Sequence, residues 1–292
     1  MFALRCTLVA ILSVSGALTA AAQDSAPKSS PEQRLVFATK AAREYRLRVA
    51  ERATPDVTLH SEPLLRWINK VIREDDGMLF LWTEGNKGRP VAAAQFFLQQ
   101  AVWHHEFQSL SADRFIAHCE GEDARGWTWE PSRAGMTFVR ADRIGPPADS
   151  ANSRLRQMRS IADRFTAAVD TDSAFANPEQ LRLLTTPIYR YSATAQGILD
   201  GALFAFAQGT NPEVLLLIEA DATVPTAKVW RYGFARMSCF FLRVHEGGQL
   251  VWNADREPVP TTDPGSPYSF RLSAQVDRSG ELEAPPPRDK GH

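Results

Sequence analysis

The second half of this chain repeats the first. Moved by 124 positions, Pro63, Arg66, Asp76, Gly77, Leu79, Phe80 and Gly85 fall on Pro187, Arg190, Asp200, Gly201, Leu203, Phe204 and Gly209, seven identities in 23 ungapped positions. At an offset of 127, Val102, Trp103, Phe107, Ser111 and His118 meet Val229, Trp230, Phe234, Ser238 and His245. At 120, Arg34, Leu35, Ala42 and Val49 meet Arg154, Leu155, Ala162 and Val169. The three matches keep one order with small drift, as expected of two copies that gained loop insertions. The separation is far longer than a solenoid period. The pattern predicts an α+β fold: a tandem duplication of a helix followed by a four- to six-stranded antiparallel β-meander.

Each copy opens on a helical stripe. Ser30-Pro31-Glu32-Gln33 carries a cap, a proline at the first helical position and a Gln three residues after the cap. Leu35, Ala38, Ala42, Tyr45 and Val49 then recur at helical spacing, as do Leu155, Met158, Ala162, Phe165 and Val169. Strand-like runs follow at 64–68, 78–83, 91–98, 102–111, 115–118 and 127–129, and again at 188–191, 202–207, 214–220, 229–243 and 250–252. The gaps between them are too short for the helical crossovers that parallel strands need. The units therefore span 30–129 and 150–253, with a Pro-containing linker over 130–149. Seven prolines mark 254–292 as a disordered tail.

The N-terminus reads differently. Arg5, an apolar run from Thr7 to Leu18 and Ala20-Ala21-Ala22 before Gln23 form a secretory signal over 1–22, with a polar leader over 23–29. The apolar run falls short of the ~20 residues of a membrane span. The reading is an exported protein, periplasmic or extracellular, whose mature chain has no transmembrane span; an uncleaved anchor is the alternative. Cys6 leaves with the signal. Cys119 and Cys239 remain, and an oxidising compartment permits a disulfide between them. They are not repeat-equivalent, since Cys119 aligns with Glu246 and Cys239 with Ala112, which argues against a structural bridge.

The net charge of −1 and the lack of a Lys/Arg block leave no footprint for nucleic acid. Residues shared by both copies read as structural. Asp76-Gly77 and Asp200-Gly201 are turn residues on this view, while Arg66 and Arg190 either stack on a neighbouring ring, pair with a carboxylate or form two anion-binding sites. Around His104-His105-Glu106, alternation puts His105 with Trp103 and Phe107 on the core face, and His104 with Glu106 on the opposite, solvated face. His60 and Glu62 share that alternate spacing and complete a metal set only if folding brings them near. His118 beside Cys119 invites a nucleophile pair, yet His245 holds the matching place without a cysteine. No phosphate loop, dinucleotide fingerprint, serine elbow or zinc-protease motif is present. No cofactor follows from the sequence.

Several stretches resemble a family of exported planctomycete-type bacterial proteins of unknown function. They are Glu62-Pro63-Leu64-Leu65-Arg66-Trp67, His105-Glu106-Phe107-Gln108-Ser109-Leu110, Arg154 to Arg159, Leu181 to Leu184 with Pro187 to Tyr191, and Asp200 to Phe206 continuing to Ala220. The resemblance covers about 57–252, with Asn211 standing where the family has Asp, and it implies no reaction, cofactor or catalytic residue. The expected function is thus a non-catalytic binding or scaffolding module, holding an envelope protein or a small ligand at the junction of the units. The alternative is a hydrolase or metal-dependent enzyme whose site is unique to the first unit, built from His60, Glu62, His104 and Glu106.

Overall fold

Where Ser30 predicts a helix start, the chain builds one. The structure, a computed structural model, describes residues 29–49, 57–69, 74–141, 144–171, 175–224 and 227–276. The expected signal and most of the leader lie outside the described residues. The first helix, α1, spans Pro31–Arg43; Ser30 Oγ accepts from the Gln33 N–H at 3.2 Å and Gln33 Oε1 accepts from the Ser30 N–H at 2.8 Å. The second, α2, spans Ala151–Ala162. The first nine strands are β1 (Tyr45–Val49), β2 (Val57–Leu59), β3 (Leu65–Asn69), β4 (Glu74–Glu84), β5 (Pro90–Gln99), β6 (Val102–Ser109), β7 (Phe115–Cys119), β8 (Thr128–Trp129) and β9 (Val139–Arg140). The rest are β10 (Phe165–Asp170), β11 (Glu179–Leu183), β12 (Tyr189–Ala193), β13 (Ile198–Gln208), β14 (Asn211–Asp221), β15 (Val229–Arg236), β16 (Phe241–Glu246), β17 (Gln249–Ala254) and β18 (Tyr268–Val276).

These elements overturn the expected α+β architecture of a duplicated helix plus meander. Among the described residues the chain is mostly β, with two α-helices and three sheets. One sheet runs β1-β7-β8, another β18-β6-β5-β4-β2 with β3 also on β4. The third runs β17-β16-β10-β11-β13-β14-β15-β9, with β12 also on β13. The halves therefore enter different sheets: β1 pairs with β7 apart from the main sheet, whereas β10 is paired with both β16 and β11. Segments outside the expected units also join in. The linker supplies β9 to β15, and the supposedly disordered tail supplies β18, which pairs with β6. Pairing is a long-range choice that local periodicity does not encode.

The helices are also shorter than their stripes. Tyr45, Leu47 and Val49 are buried while Arg46 and Arg48 are exposed, a strand pattern. A four-residue spacing fits either period, and the intervening arginines decide it. Similarly, the stretch over 229–243 is broken into β15 and β16 by Met237-Ser238-Cys239-Phe240.

The two large sheets pack face to face. In β4, Leu79 and Leu81 join Leu203 and Ala205 of β13 and Leu215 and Leu217 of β14 in a shared core. Met78, Phe80 and Trp82 turn the other way, onto Ala38 and Ala42 of α1. In β14, Val214, Leu216 and Ile218 face Met158 and Ile161 of α2. Both strands are thus covered on both faces, which explains their nearly unbroken apolar runs. At about 25 cal/mol per Å² of apolar surface, this doubly buried pair supplies much of the drive for the sheets to associate.

Candidate functional site

Three glutamates from three strands converge at one end of the sandwich. Glu74 begins β4, Glu106 lies in β6 and Glu213 in β14, at 1%, 3% and 1% exposure. All three line a pocket of about 420 Å³. Gln95, Phe97 and His104 form one wall with Phe270 of β18, and Ser238, Cys239 and Phe240 of the β15–β16 connection form another. The site draws on both halves of the chain and on the tail.

Two of the carboxyls are held by specific neighbours. Trp67 Nε1 donates to Glu74 Oε1 at 2.7 Å. Gly77 makes this possible, because a Cβ there would overlap the Trp67 indole and Glu74 Oε1. Asp76-Gly77 and Asp200-Gly201 are therefore not the expected turns: both lie inside long strands, beneath the rings of Trp67 and Tyr191. The Tyr268 hydroxyl donates to Glu106 Oε1 at 2.6 Å.

Burial dominates the acid–base character of the pocket. It raises Glu74 to about 8, against the Trp67 hydrogen bond and aided by Glu213 and Asp76. It raises Glu106 to about 8, opposed by Tyr268 and Arg236 and reinforced by Glu213 and Glu74. Glu213 rises to about 7; the nearby Ser238 hydroxyl tempers this shift without completing a hydrogen bond of its own. Desolvation takes His104 down to about 4 and the Cys239 thiol up to about 12, so the imidazole is neutral and the thiol protonated at pH 7. The His104 ring stacks on Phe97 at 4.8 Å and meets Phe270 edge-on at 5.6 Å.

The candidates read from the sequence are dispersed. His104 and Glu106 do share a face, but it is the pocket wall rather than a solvated surface. His60 and Glu62 lie elsewhere: the Glu62 carbonyl is 2.9 Å from His60 Nδ1, and the His60 ring packs against Tyr189. The metal set is not assembled, and among the described residues no group of three or more His, Cys, Asp or Glu is placed to hold an ion. His105 is on the core face, its Nδ1 2.7 Å from the Tyr45 hydroxyl. Cys119 is buried in β7 beside exposed His118, on opposite faces of the strand, so no nucleophile pair forms. Cys119 and Cys239 are both free thiols.

Arg66 and Arg190 each take the carboxylate option. Arg66 donates to Asp76 through Nε (2.9 Å) and Nη2 (2.5 Å), and Arg34 of α1 adds a bond from Nε at 3.2 Å. Arg190 does the same to Asp200 at 2.9 and 2.6 Å, with Arg154 of α2 at 2.8 Å. Each arrangement also ties its helix start, through Arg66 to the Pro31 carbonyl and Arg190 to the Ala151 carbonyl. These arginines fasten helices to sheets and are not open anion sites.

Glu74, Gln95, Glu213, Ser238 and Tyr268 were missed in the sequence. The available signal was a polar residue inside an apolar strand run: Gln95 within Val91–Leu98, and Glu213 abutting Val214–Ile218. Compared with protein-family models, curated proteins and solved structures, the chain matches none. Among the described residues, no helix is long and apolar enough to cross a membrane.

Proposed function

We propose that this chain is an exported, non-catalytic binding protein that holds one small organic molecule in the pocket between its two large sheets. The observation that carries the reading is a cavity of about 420 Å³ lined by Phe97, Phe240 and Phe270 together with three buried carboxyls. That volume falls in the range of ligand pockets, as does an apolar lining with a few convergent polar groups. Buried polar atoms without partners strengthen it: Glu74 Oε2 and Asn211 Oδ1 both line the cavity. Native proteins seldom leave such atoms unsatisfied, and a bound molecule supplies what is missing. Export rests on the N-terminal sequence and on the family resemblance. The test is a titration with an environment-sensitive naphthalene dye. One saturable site per chain is expected, and it should be lost in a folded Ser238→Leu variant whose side chain fills the cavity. Absence of saturable binding in the parent protein would overturn the reading.

One observation favours a second reading. Glu106 at about 8 and Glu213 at about 7 titrate near neutral pH, so Glu106 can keep its proton as a general acid while Glu213, once ionised, serves as a general base. On this reading the chain is a hydrolase whose site spans both halves. Turnover of any ester or glycoside that disappears in Glu106→Gln while the dye still binds would establish it.

A further inference from the structure

Most of the unfilled hydrogen-bonding capacity of the pocket is carboxyl and amide oxygen, beside His104 Nδ1. Asn211 Oδ1 accepts bonds only, Glu74 Oε2 and Glu213 Oε2 accept only once ionised, as an ammonium beside them would favour, and none of the three has a partner. The Ser238 hydroxyl, 6% exposed, has none either. Two side-chain amides and a phenol nearby are engaged. Gln95 Nε2 donates to the carbonyls of Pro212 and Met237 at 2.5 and 3.2 Å, and Gln208 Nε2 to Glu179 Oε2 at 2.6 Å. Tyr268 already serves Glu106.

Cations are turned away from the interior as well. Arg236 sends Nε to the Ser238 carbonyl and Nη2 to the Phe240 carbonyl, both at 2.8 Å, and pairs with Glu257 at 3.3 Å. Arg256, on the exposed rim, reaches the Thr171 carbonyl at 3.4 Å and stands 6.0 Å over the Phe240 ring. Three carboxyls therefore face a cavity whose one lining guanidinium among the described residues, Arg256, is bonded to the Thr171 carbonyl and forms no ion pair with any of them. The aromatic rings of Phe97, Phe240 and Phe270 present the kind of surface that accommodates organic cations and the carbon chains attached to them.

We propose that the pocket takes a small primary amine, its ammonium among Glu74, Glu106 and Glu213 and its hydrocarbon body against Phe97, Phe240 and Phe270. This rests on the reading of the cavity as a ligand site and adds the chemical class. A –NH₃⁺ group brings three donors and no acceptor, which matches the open acceptors. A carboxylate ligand brings acceptors only and sets a negative charge against three glutamates, and a neutral alcohol brings one donor and no charge.

Calorimetric titration with 2-phenylethylamine, 2-phenylethanol and phenylacetate separates these cases, alongside displacement of the naphthalene dye. The amine should bind at least about tenfold more tightly than the alcohol, and phenylacetate should not bind. Amine binding should release protons as the carboxyls ionise, seen as an apparent enthalpy that depends on the buffer. In Glu213→Gln the amine should weaken at least about tenfold while the alcohol is unchanged. Dye binding by that variant confirms an intact cavity. Equal binding of amine and alcohol, or tighter binding of phenylacetate, would overturn the proposal while leaving a ligand pocket standing. Failure of the dye and all three probes would overturn both.

Discussion

The Tyr268 hydroxyl donates to Glu106 Oε1 at 2.6 Å across 162 residues of sequence. The bond joins a strand near the end of the described chain to the strand that carries the pocket's histidine. It is also the hydrogen bond that restrains the rise in the Glu106 pKa. Tyr268→Phe should therefore push that carboxyl higher still, because its ionised form loses a donor in a buried setting. The expected destabilisation is about 1–3 kcal/mol. Urea denaturation should show a larger loss at pH 9 than at pH 5; an equal loss at both would contradict the electrostatic account.

Stability should fall as the solution becomes alkaline. Glu74 and Glu106 sit at about 8 and Glu213 at about 7, against an ordinary value of 4.5. The folded state thus holds more protons than the unfolded chain between pH 4.5 and 8, so stability declines as pH rises through that window. The other ionisable groups facing this cluster are His104, Cys239, Tyr268, Arg236, Asp76 and, through Gln208, Glu179. His104, lowered from 6.5 to about 4, acts in the opposite direction between pH 4 and 6.5, where it raises stability with pH and offsets part of the decline in the acidic half of the window. The total drop from pH 5 to pH 9 should be on the order of several kcal/mol. Glu106→Gln should flatten part of the decline, which unfolding midpoints at pH 5, 7 and 9 would reveal.

The two aspartates that anchor the helices should be intolerant of neutralisation. Asp76 is fully buried between Arg34 and Arg66, and Asp200 nearly so between Arg154 and Arg190. Asp76→Asn or Asp200→Asn leaves two arginines without their carboxylate, at a cost of about 3–5 kcal/mol. Arg66→Lys also loses the two-pronged contact and should be milder. Thermal unfolding of the variants would check this order.

Gly77→Ala should disturb the site without touching its lining. The new methyl would displace the Trp67 indole, whose N–H holds Glu74 Oε1. A destabilisation of about 1–3 kcal/mol is expected, together with weaker amine binding. Gly201→Ala, crowding Tyr191 instead, should cost similar stability and leave binding intact. Comparing binding in the two variants isolates the Trp67 contact.

The local pieces of this fold were legible, and the way they combine was not. Ser30 and Pro31 announced α1, and alternation correctly separated His105 from His104 and Glu106. The matched arginines pointed to carboxylate pairing, which the bonds to Asp76 and Asp200 show. Sheet membership was hidden because β9 and β18 lie in stretches dominated by proline and polar residues. The pocket was hidden for a different reason. Glu74, Glu106 and Glu213 come together only through strand pairing and sheet packing, and neither leaves a spacing to read. The Asp-Gly pairs misled because glycine marks a turn in most contexts. Here it marks an aromatic ring lying flat on a strand.

Synthesis proceeds from the N-terminus, so β18 leaves the ribosome after every other described strand. Until Tyr268 emerges, Glu106 has no phenol beside it and β6 keeps an open edge. A product truncated before that point would retain both main cores but lack one wall of the cavity. The proposed ligand capture would then wait for translation through β18, which couples the making of the pocket to the last of the described strands.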